Sequence, residues 1–509
     1  MKNQILFTAL GASLVAGCSE AKKESAIPER PNILWIMSED MGQDLSCYGM
    51  PAVSTPTLDK MASEGVQYNA GFTTNPISSP SRSAMMTGVY QTQIDAHNHR
   101  SNRDVPLTTD VQPITYHLRN AGYTCILGHK DVMRFGQKID CNFKHKPIGE
   151  WDGVNEFGLF DKVNEITAED QPFFAQVQML VTHRGDWWNE ITANAENPVN
   201  PADVVLPEFM PDDPLIRKEW ASYLDQVQQM DKEVNILLED LKAKGVLDNT
   251  IIFFIGDNGR CNIRGKGYLY EPGIRIPMIA WGKGIKKCVV DDMVSSIDIS
   301  ATVLDLAGCE LPSYLMGKPL FNKETGESTP WRDEFFAARD NWDEVVECIR
   351  SLDKGDFKYI RNYFPDQPWD MHQQYLDFHR PAIHVMRKLK AEGKLDAKTG
   401  VFMADKKPVE ELYNIKNDPF ELVNLAENPE YKSTLEEMRT RMDQWQTEHV
   451  DMGLTDRDNR TPEVMPAVRE YLKAEKPEEW KYLTDGNVGE KYAEQKKASD
   501  KWAKDKKKK

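Results

Sequence analysis

The chain has 509 residues, enough to bury a large core and to hold two domains. Its 63 Lys and Arg against 80 Asp and Glu leave a net charge of −17, which excludes the broad basic footprint of a nucleic-acid binder. With that balance, an anionic substrate must be met by local rather than overall positive potential.

Lys2, a short apolar run over 5–16 and the stretch Leu14-Val-Ala-Gly-Cys18 read as a bacterial lipoprotein leader over 1–17, with lipid attached to Cys18. The run is shorter than the ~20 residues a membrane-spanning helix needs. Residues 18–30 are polar and charged and read as a tether, so the expected address is the bacterial cell envelope, at the outer membrane. Of the 8 cysteines, those other than Cys18 are widely and irregularly spaced, which fits neither a disulfide framework nor a zinc pattern.

Pro31-Asn-Ile-Leu-Trp-Ile-Met37 is an apolar run of strand length after a turn signal, suited to a central strand buried on both faces. Ser38-Glu39-Asp40-Met41-Gly42 follows. Two adjacent carboxylates at the carboxyl end of a core strand suit a hard divalent cation. Residues 56–65 read as a short helix closed by Gly, and Val66–Phe72 as the next strand. That strand leads into Asn75-Pro-Ile-Ser-Ser-Pro-Ser-Arg-Ser-Ala-Met-Met-Thr-Gly88. Here Pro76 and Pro80 break any preceding helix, and Ser81 is placed to cap one that begins at Arg82. A helix N-terminus beside an Arg is a ready anion site, because free N–H groups, the dipole and the guanidinium fork all favour a negative ligand.

Further along, 114–121 is a helix, 123–127 a strand ending in Gly128-His-Lys-Asp131, and 172–181 a strand ending in Thr182-His183-Arg184. A helical period over 217–244 closes at Gly245, and 250–255 is a core strand followed by Gly256-Asp-Asn-Gly259. A Gly-flanked loop over 265–277 precedes a strand at Met278–Trp281, and 295–307 is an amphipathic helix. Strands alternating with helices predict a doubly wound α/β sheet. Glu39/Asp40, Lys130, His183 and Asp257/Asn258 all fall at strand ends, which points to one site on the carboxyl edge of that sheet. Beyond about residue 320 the texture turns to short strands over 344–350 and 357–361, then a helix over 434–450. The expected organisation is a main domain over 31–320, a smaller α+β domain over 321–453, and a charged tail over 454–509.

Ser78-x-Pro80-Ser81-Arg82, followed by Thr87-Gly88, resembles the modification signature of the formylglycine-dependent (type I) sulfatases of the alkaline phosphatase-like superfamily. In that family the first residue, Cys or Ser, is oxidised to an aldehyde. The resemblance runs from about Arg30 to Gly453 and takes in the strand-plus-acids opening, Gly256-Asp-Asn-Gly259 and the Lys266/Tyr270/Gly273 block. Leu412-Tyr-Asn-Ile-Lys-Asn-Asp-Pro419 and Asn424-Leu-Ala continue it in the family's order. The branch it looks most similar to is that of the heparan N-sulfatases and bacterial polysaccharide sulfatases.

The resemblance implies an alkaline phosphatase-like doubly wound mixed sheet with helices on both faces, plus a smaller C-terminal α+β domain. It implies one Ca²⁺ ion, ahead of Mg²⁺, held by Glu39, Asp40, Asp257, Asn258 and the formylglycine made from Ser78. On the family's pattern the hydrated aldehyde attacks sulfur in line and His183 protonates the leaving oxygen or nitrogen. Arg82, Lys130 and Lys266 would neutralise the sulfate oxygens. The family has Asp where this chain has Glu39, and a His two residues after its active-site Lys, where this chain has Val132; His129 or Asp131 stand as substitutes.

The function implied is a lipid-anchored, exo-acting carbohydrate sulfatase that acts on oligosaccharides of an algal polysaccharide such as ulvan or fucoidan, or of a glycosaminoglycan. It would depend on a formylglycine-generating maturase that accepts Ser. Two other classes stay open at this point: a phosphodiesterase or phosphonate hydrolase of the superfamily, and a non-catalytic glycan-binding lipoprotein. His97, His99, Arg339, Arg361, Asn362, His372 and Tyr375 are polar or aromatic candidates to line a sugar pocket.

Overall fold

The computed structural model describes residues 26–455 apart from 108–109, 151–157, 186, 344 and 372, together with Ala474. The leader, Cys18, His372 and the tail expectation therefore lie outside the described residues, Ala474 excepted.

Strands β1 (Asn32–Ser38), β2 (Val66–Phe72) and β3 (Thr124–Leu127) are followed by a small parallel pair, β4 (Lys146–Ile148) and β5 (Gly158–Phe160). β6 (Lys162–Val163), β7 (Phe173–Met179), β8 (Thr250–Gly256), β9 (Met278–Trp281) and β10 (Cys288–Ser295) complete an eight-stranded sheet of order β10-β2-β9-β8-β1-β7-β3-β6. Its pairings are parallel except those of β9 with β2 and with β8.

The middle strands β1, β7 and β8 are buried at every position. Side chains alternate across a strand, so a run apolar at every position needs cover on both faces. In β1, Leu34 and Ile36 enter one apolar cluster with residues of the long helix Pro214–Ala243. Ile33, Trp35 and Met37 enter another with residues of the helix Ser296–Leu306. This is the doubly wound α/β sheet expected from the alternation of strands and helices, and it is mixed as the family resemblance implied.

A second sheet is antiparallel and four-stranded, β11 (Glu334–Arg339), β12 (Ile349–Lys354), β13 (Phe357–Asn362) and β14 (Glu410–Asn414). The helix Lys432–Glu448 packs on it, with Phe336 and Trp445 stacked at 4.6 Å between ring centroids. The sheet reaches back to the main one: Ala338 N–H donates to the Thr74 carbonyl (3.0 Å), and Asn75 Nδ2 donates to the Ala338 carbonyl (2.6 Å). These two bonds hold the segment that leads into Ser78. Lys358 adds a buried ionic joint, its Nζ 2.6 Å from Glu271, 3.1 Å from Glu421 and 3.4 Å from Asp353.

Three local expectations are corrected. The helix expected to start at Arg82 spans Ser78–Thr87 with Ile77 as its cap residue, so Ser81 lies inside the first turn. Pro80 is no obstacle there, because first-turn N–H groups have no partner within the helix. The strand expected over 344–350 is instead β12, four residues or more further along, and β11 was not anticipated. Nor was β10, where Asp291 and Asp292 interrupt the apolar pattern at a register shift between Val290 and Met293. The described cysteines are all free, and Cys125, Cys141, Cys261 and Cys348 are buried. Among the described residues no helix is long and apolar enough to cross a membrane.

Candidate active site

The parallel strands β1, β7 and β8 end side by side: Ser38 pairs with Met179 on one side and Gly256 on the other. The residues that follow are thereby brought together. Glu39 and Asp40 leave β1, Thr182 and His183 leave β7, and Asp257 and Asn258 leave β8. Asp40 sits at φ 47°, a left-handed conformation uncommon for a residue with a side chain. That turn aims its N–H at Asp257 Oδ1, 3.0 Å away. Strain of this kind collects at functional sites because the surrounding structure has to enforce it.

Ser78 opens its helix and donates from Oγ to Asn258 Oδ1 at 3.0 Å. One turn later Arg82 is wholly occupied. Its Nε donates to Asp257 Oδ2 (3.0 Å), its Nη2 to Glu39 Oε1 (2.8 Å) and to Gln178, and its Nη1 to the Lys138 carbonyl (3.3 Å). Ser81, freed from capping, donates to the Asp257 carbonyl at 2.6 Å. Arg82 thus sets the positions of two carboxylates and has no fork left over for a sulfate.

Lys266 arrives from the loop after β8, its Nζ 2.6 Å from Asp40 Oδ1. The next residue explains that placement. Gly267 has φ 91°, and a Cβ there would lie 2.2 Å from the Trp342 ring. Tyr375 donates to Asp40 Oδ2 at 3.2 Å, and Asn258 Nδ2 donates to Asp40 Oδ1 at 3.1 Å. His183 Nε2 stands 3.9 Å from Asp40 and 4.0 Å from Glu39.

Nine of the residues singled out by sequence thus converge, Glu39, Asp40, Ser78, Arg82, His183, Asp257, Asn258, Lys266 and Tyr375, with His99 beside them. Lys130 is the main correction. It is 58 % exposed, and its nearest ionic contact is Asp131 at 3.9 Å. Lys138 occupies the site in its place, Nζ 2.7 Å from Glu39 Oε2 and 3.4 Å from Asp140. The chain passes Lys130 and makes a tight turn, with Arg134 and Phe135 both at positive φ, before coming back to the site. His129 is drawn off to Asp240 (2.9 Å). Arg361 faces Asp443 (2.7 Å) and Tyr359 (2.9 Å) on the outer side of the second sheet. His97 is buried against Asp95 and Asn98. Arg339 is paired with Glu347 (3.3 Å) and Asn362 with Glu411 (2.7 Å). His99 is close by, its Nδ1 3.0 Å from the hydroxyl of Ser79. Lys138 and Gln178 had no signal in spacing; Tyr375 was one of the sugar-pocket candidates and is instead a neighbour of Asp40.

The electrostatics follow from burying three carboxylates, Glu39, Asp40 and Asp257, with three cations, Arg82, Lys138 and Lys266. Burial would raise Asp40, but Lys266 and then His183 outweigh it and hold the carboxyl well below the usual range. Asp257 is shifted up by burial and by the nearby Glu39, with Arg82 opposing. Burial pushes His183 down to about 3 against the pull of Asp40, so its ring is neutral near neutral pH. An arriving anion favours the protonated ring.

The donor set fits a hard cation. Glu39, Asp40, Asp257, the Asn258 amide oxygen and the Ser78 hydroxyl are all oxygen ligands, the type Ca²⁺ and Mg²⁺ prefer. Glu39, Asp40 and His183 also place one donor atom each within 4.8 Å of one another.

A family model described as Sulfatase matches residues 31–309, more than half of the chain. The chain belongs to the sulfatase family. A second model, N-sulphoglucosamine sulphohydrolase, C-terminal, matches residues 259–382 of this sulfatase. It is 33 % identical to an ulvan-active sulfatase of Formosa agariphila, over 84 % of this chain and 76 % of that one. It is 26 % identical to human N-sulphoglucosamine sulphohydrolase, over 82 % of this chain and 90 % of that one. A structure solved in complex with its substrate D-glucosamine-2-N,6-O-disulfate superposes with a TM-score of 0.56 at 19 % identity, covering 85 % of this chain and 99 % of that one, which shows the shared fold. The protein is accordingly a sulfuric ester hydrolase of a family that works with a metal ion and a formylglycine residue.

Proposed function

We propose that this sulfatase removes sulfate esters from oligosaccharides of a sulfated polysaccharide, ulvan foremost, using a formylglycine made from Ser78 and one Ca²⁺ ion. The observation that carries the reading is the position of Ser78: first residue of a buried helix, hydrogen-bonded to Asn258 within a ring of oxygen donors and cations. The polysaccharide is argued from the ulvan-active relative, which is more similar to the chain than the N-sulphoglucosamine sulphohydrolase is.

Glu39, Asp40, Asp257 and Asn258 would hold the ion, and Arg82 fixes the first and third of these. When bound, the ion would supply Lewis-acid polarisation of a sulfate oxygen, and the formylglycine made from Ser78 would supply, once hydrated, the attacking hydroxyl. Lys138 and Lys266 bring positive charge to the remaining sulfate oxygens as charge shifts onto them. His183 gives a proton to the leaving sugar oxygen once the anion has charged its ring. Tyr375 keeps Asp40 oriented.

Because position 78 is Ser, activity depends on a maturase that oxidises Ser. A peptide spanning Ser78 from protein matured in its host is expected to be about two mass units lighter than the encoded sequence. Unmodified peptide together with absent turnover would defeat the reading. Sulfate release from a panel of defined oligosaccharides decides among ulvan, other algal polysaccharides and N- or O-sulfated glucosamine, and dominant turnover of aryl phosphate over aryl sulfate esters would favour a phosphodiesterase. Cys18 is the proposed lipid attachment point that tethers the enzyme to the cell envelope. Metabolic labelling with a fatty-acid analogue, lost in Cys18→Ser, tests it.

A further inference from the structure

Beside the catalytic cluster, Arg100 and Arg103 are 47 % and 44 % exposed, yet both are anchored on the same carboxylate, that of Asp140. Asp140 is 5 % exposed and lies 3.4 Å from Lys138, which in turn touches Glu39 at 2.7 Å. A chain of ion pairs therefore runs from the metal-type acids outward to two guanidinium groups at the surface. Three cations converge on Asp140. Asp343 is engaged by Gln373 (2.7 Å) and lies 3.6 Å from His99.

The loop carrying these arginines is tied to the residue next to Ser78. The Arg100 N–H donates to the Ser79 hydroxyl at 2.9 Å, and the His99 N–H donates to the Asn341 carbonyl at 2.9 Å. Asn142 clamps the loop from inside, donating to the carbonyls of Ala96 (2.9 Å) and Asn98 (2.7 Å), while its N–H reaches Ser83 Oγ (2.7 Å) on the Ser78 helix. Asp95, Arg100, Asn102 and Asp140 all hold positive φ, 54°, 53°, 53° and 57°. None of them is Gly, so the conformation is maintained against strain. Two long side chains are thus presented from a rigid backbone at a fixed offset from Ser78, with much of the ordering cost met before any ligand arrives.

Resting on the sulfatase reading above, we propose that Arg100 and Arg103 form a subsite for the carboxylate of a uronic-acid residue adjoining the sulfated sugar. The guanidinium fork matches a planar carboxylate with two parallel hydrogen bonds, which a lysine could not supply. In a chain of net charge −17, two exposed guanidinium groups also give an acidic substrate a local positive contact.

The test uses matured full-length protein, a sulfated oligosaccharide with a uronate beside the sulfated residue, and the same oligosaccharide with that carboxyl reduced to the alcohol. The wild type is expected to prefer the uronate form in kcat/KM by about tenfold or more, and Arg103→Ala and Arg100→Ala to bring the ratio toward one. Arg103→Gln, which keeps the side-chain bulk, is expected to do the same, with melting temperature checked for each. A ratio near one in the wild type, or a preference unchanged in all three variants, overturns the subsite. Turnover of an aryl sulfate but of neither oligosaccharide also overturns the subsite while leaving the sulfatase reading standing. Loss of turnover on all three substrates brings down both.

Discussion

Replacing Arg82 by Met removes the side chain that holds Glu39 and Asp257 together. Arg82 is 2 % exposed, and its two carboxylate partners are fully buried. Its bonds to Asp257 (3.0 Å) and Glu39 (2.8 Å) cannot be replaced by water at that depth. Breaking a buried ion pair from one side costs about 3–5 kcal/mol, because the charge left behind has lost its compensation. For 509 residues, an unfolding entropy of about 2.1 cal/mol/K per residue makes each kcal/mol worth roughly 1 °C. The melting temperature of Arg82→Met in chelator should therefore fall by about 3–5 °C, read by differential scanning fluorimetry against the wild type. Arg82→Lys keeps the charge but not the fork and should fall between the two. Added Ca²⁺ should raise the melting temperature more in Arg82→Met than in the wild type, because three buried carboxylates then face only Lys138 and Lys266. A shift under about 1 °C in chelator, or an equal response to Ca²⁺, would refute the account of Arg82 as the clamp of a cation site.

Lys138→Ala should lower kcat/KM for a sulfate ester by about 10²–10³-fold, as expected for a cation next to the reacting oxygens, whereas Lys130→Ala should stay within about twofold; steady-state kinetics on both would expose a wrong assignment. Gly267→Ala places a methyl 2.2 Å from the Trp342 ring at φ 91° and should destabilise by about 1–3 kcal/mol while cutting activity through the displaced Lys266. A variant as stable and active as the wild type would show that the turn can relax. Burial, opposed by Lys358, raises Asp353 and likewise its neighbour Glu421, so the folded chain holds a proton on this cluster that the unfolded chain has released. Stability from this cluster is present at low pH and is lost as pH rises from about 4 to about 8. Asp353→Asn should flatten the fall in melting temperature between about pH 5 and 8, and a slope identical to the wild type would show that Asp353 is not the group responsible.

Much of the catalytic edge is legible in the order of residues, because short-range rules decide it. An apolar run of strand length followed at once by polar residues is a buried parallel strand with a loop at its carboxyl end. Glu39/Asp40, His183 and Asp257/Asn258 follow such runs with a few residues or none between, so their place at the edge depends on local sequence alone. Ser78 and Arg82 share one helical turn, and their separation is likewise local. That these groups form one site required only that β1, β7 and β8 be neighbours, which the alternation of strands and helices makes natural.

Other features depended on how distant segments meet. Spacing singles out Lys130, directly after its strand, and gives no sign of Lys138; the tight turn at Arg134 and Phe135 sends the first outward and returns the second to Glu39. Arg82 looked like a free anion-binding fork from its neighbours in the chain. Its actual partners come from positions 39, 138, 178 and 257, and they occupy all three of its nitrogens. Tyr375 reaches Asp40 across 335 positions, and Asp140, beside Lys138 in the chain, gathers Arg100 and Arg103 from an earlier loop. The amino-acid sequence by itself determined the core strands of the main sheet and the chemical character of the site, through burial patterning and local backbone chemistry. Only the tertiary structure decided which lysine faces the acids and which charges are already paired, because those depend on contacts that no periodicity encodes.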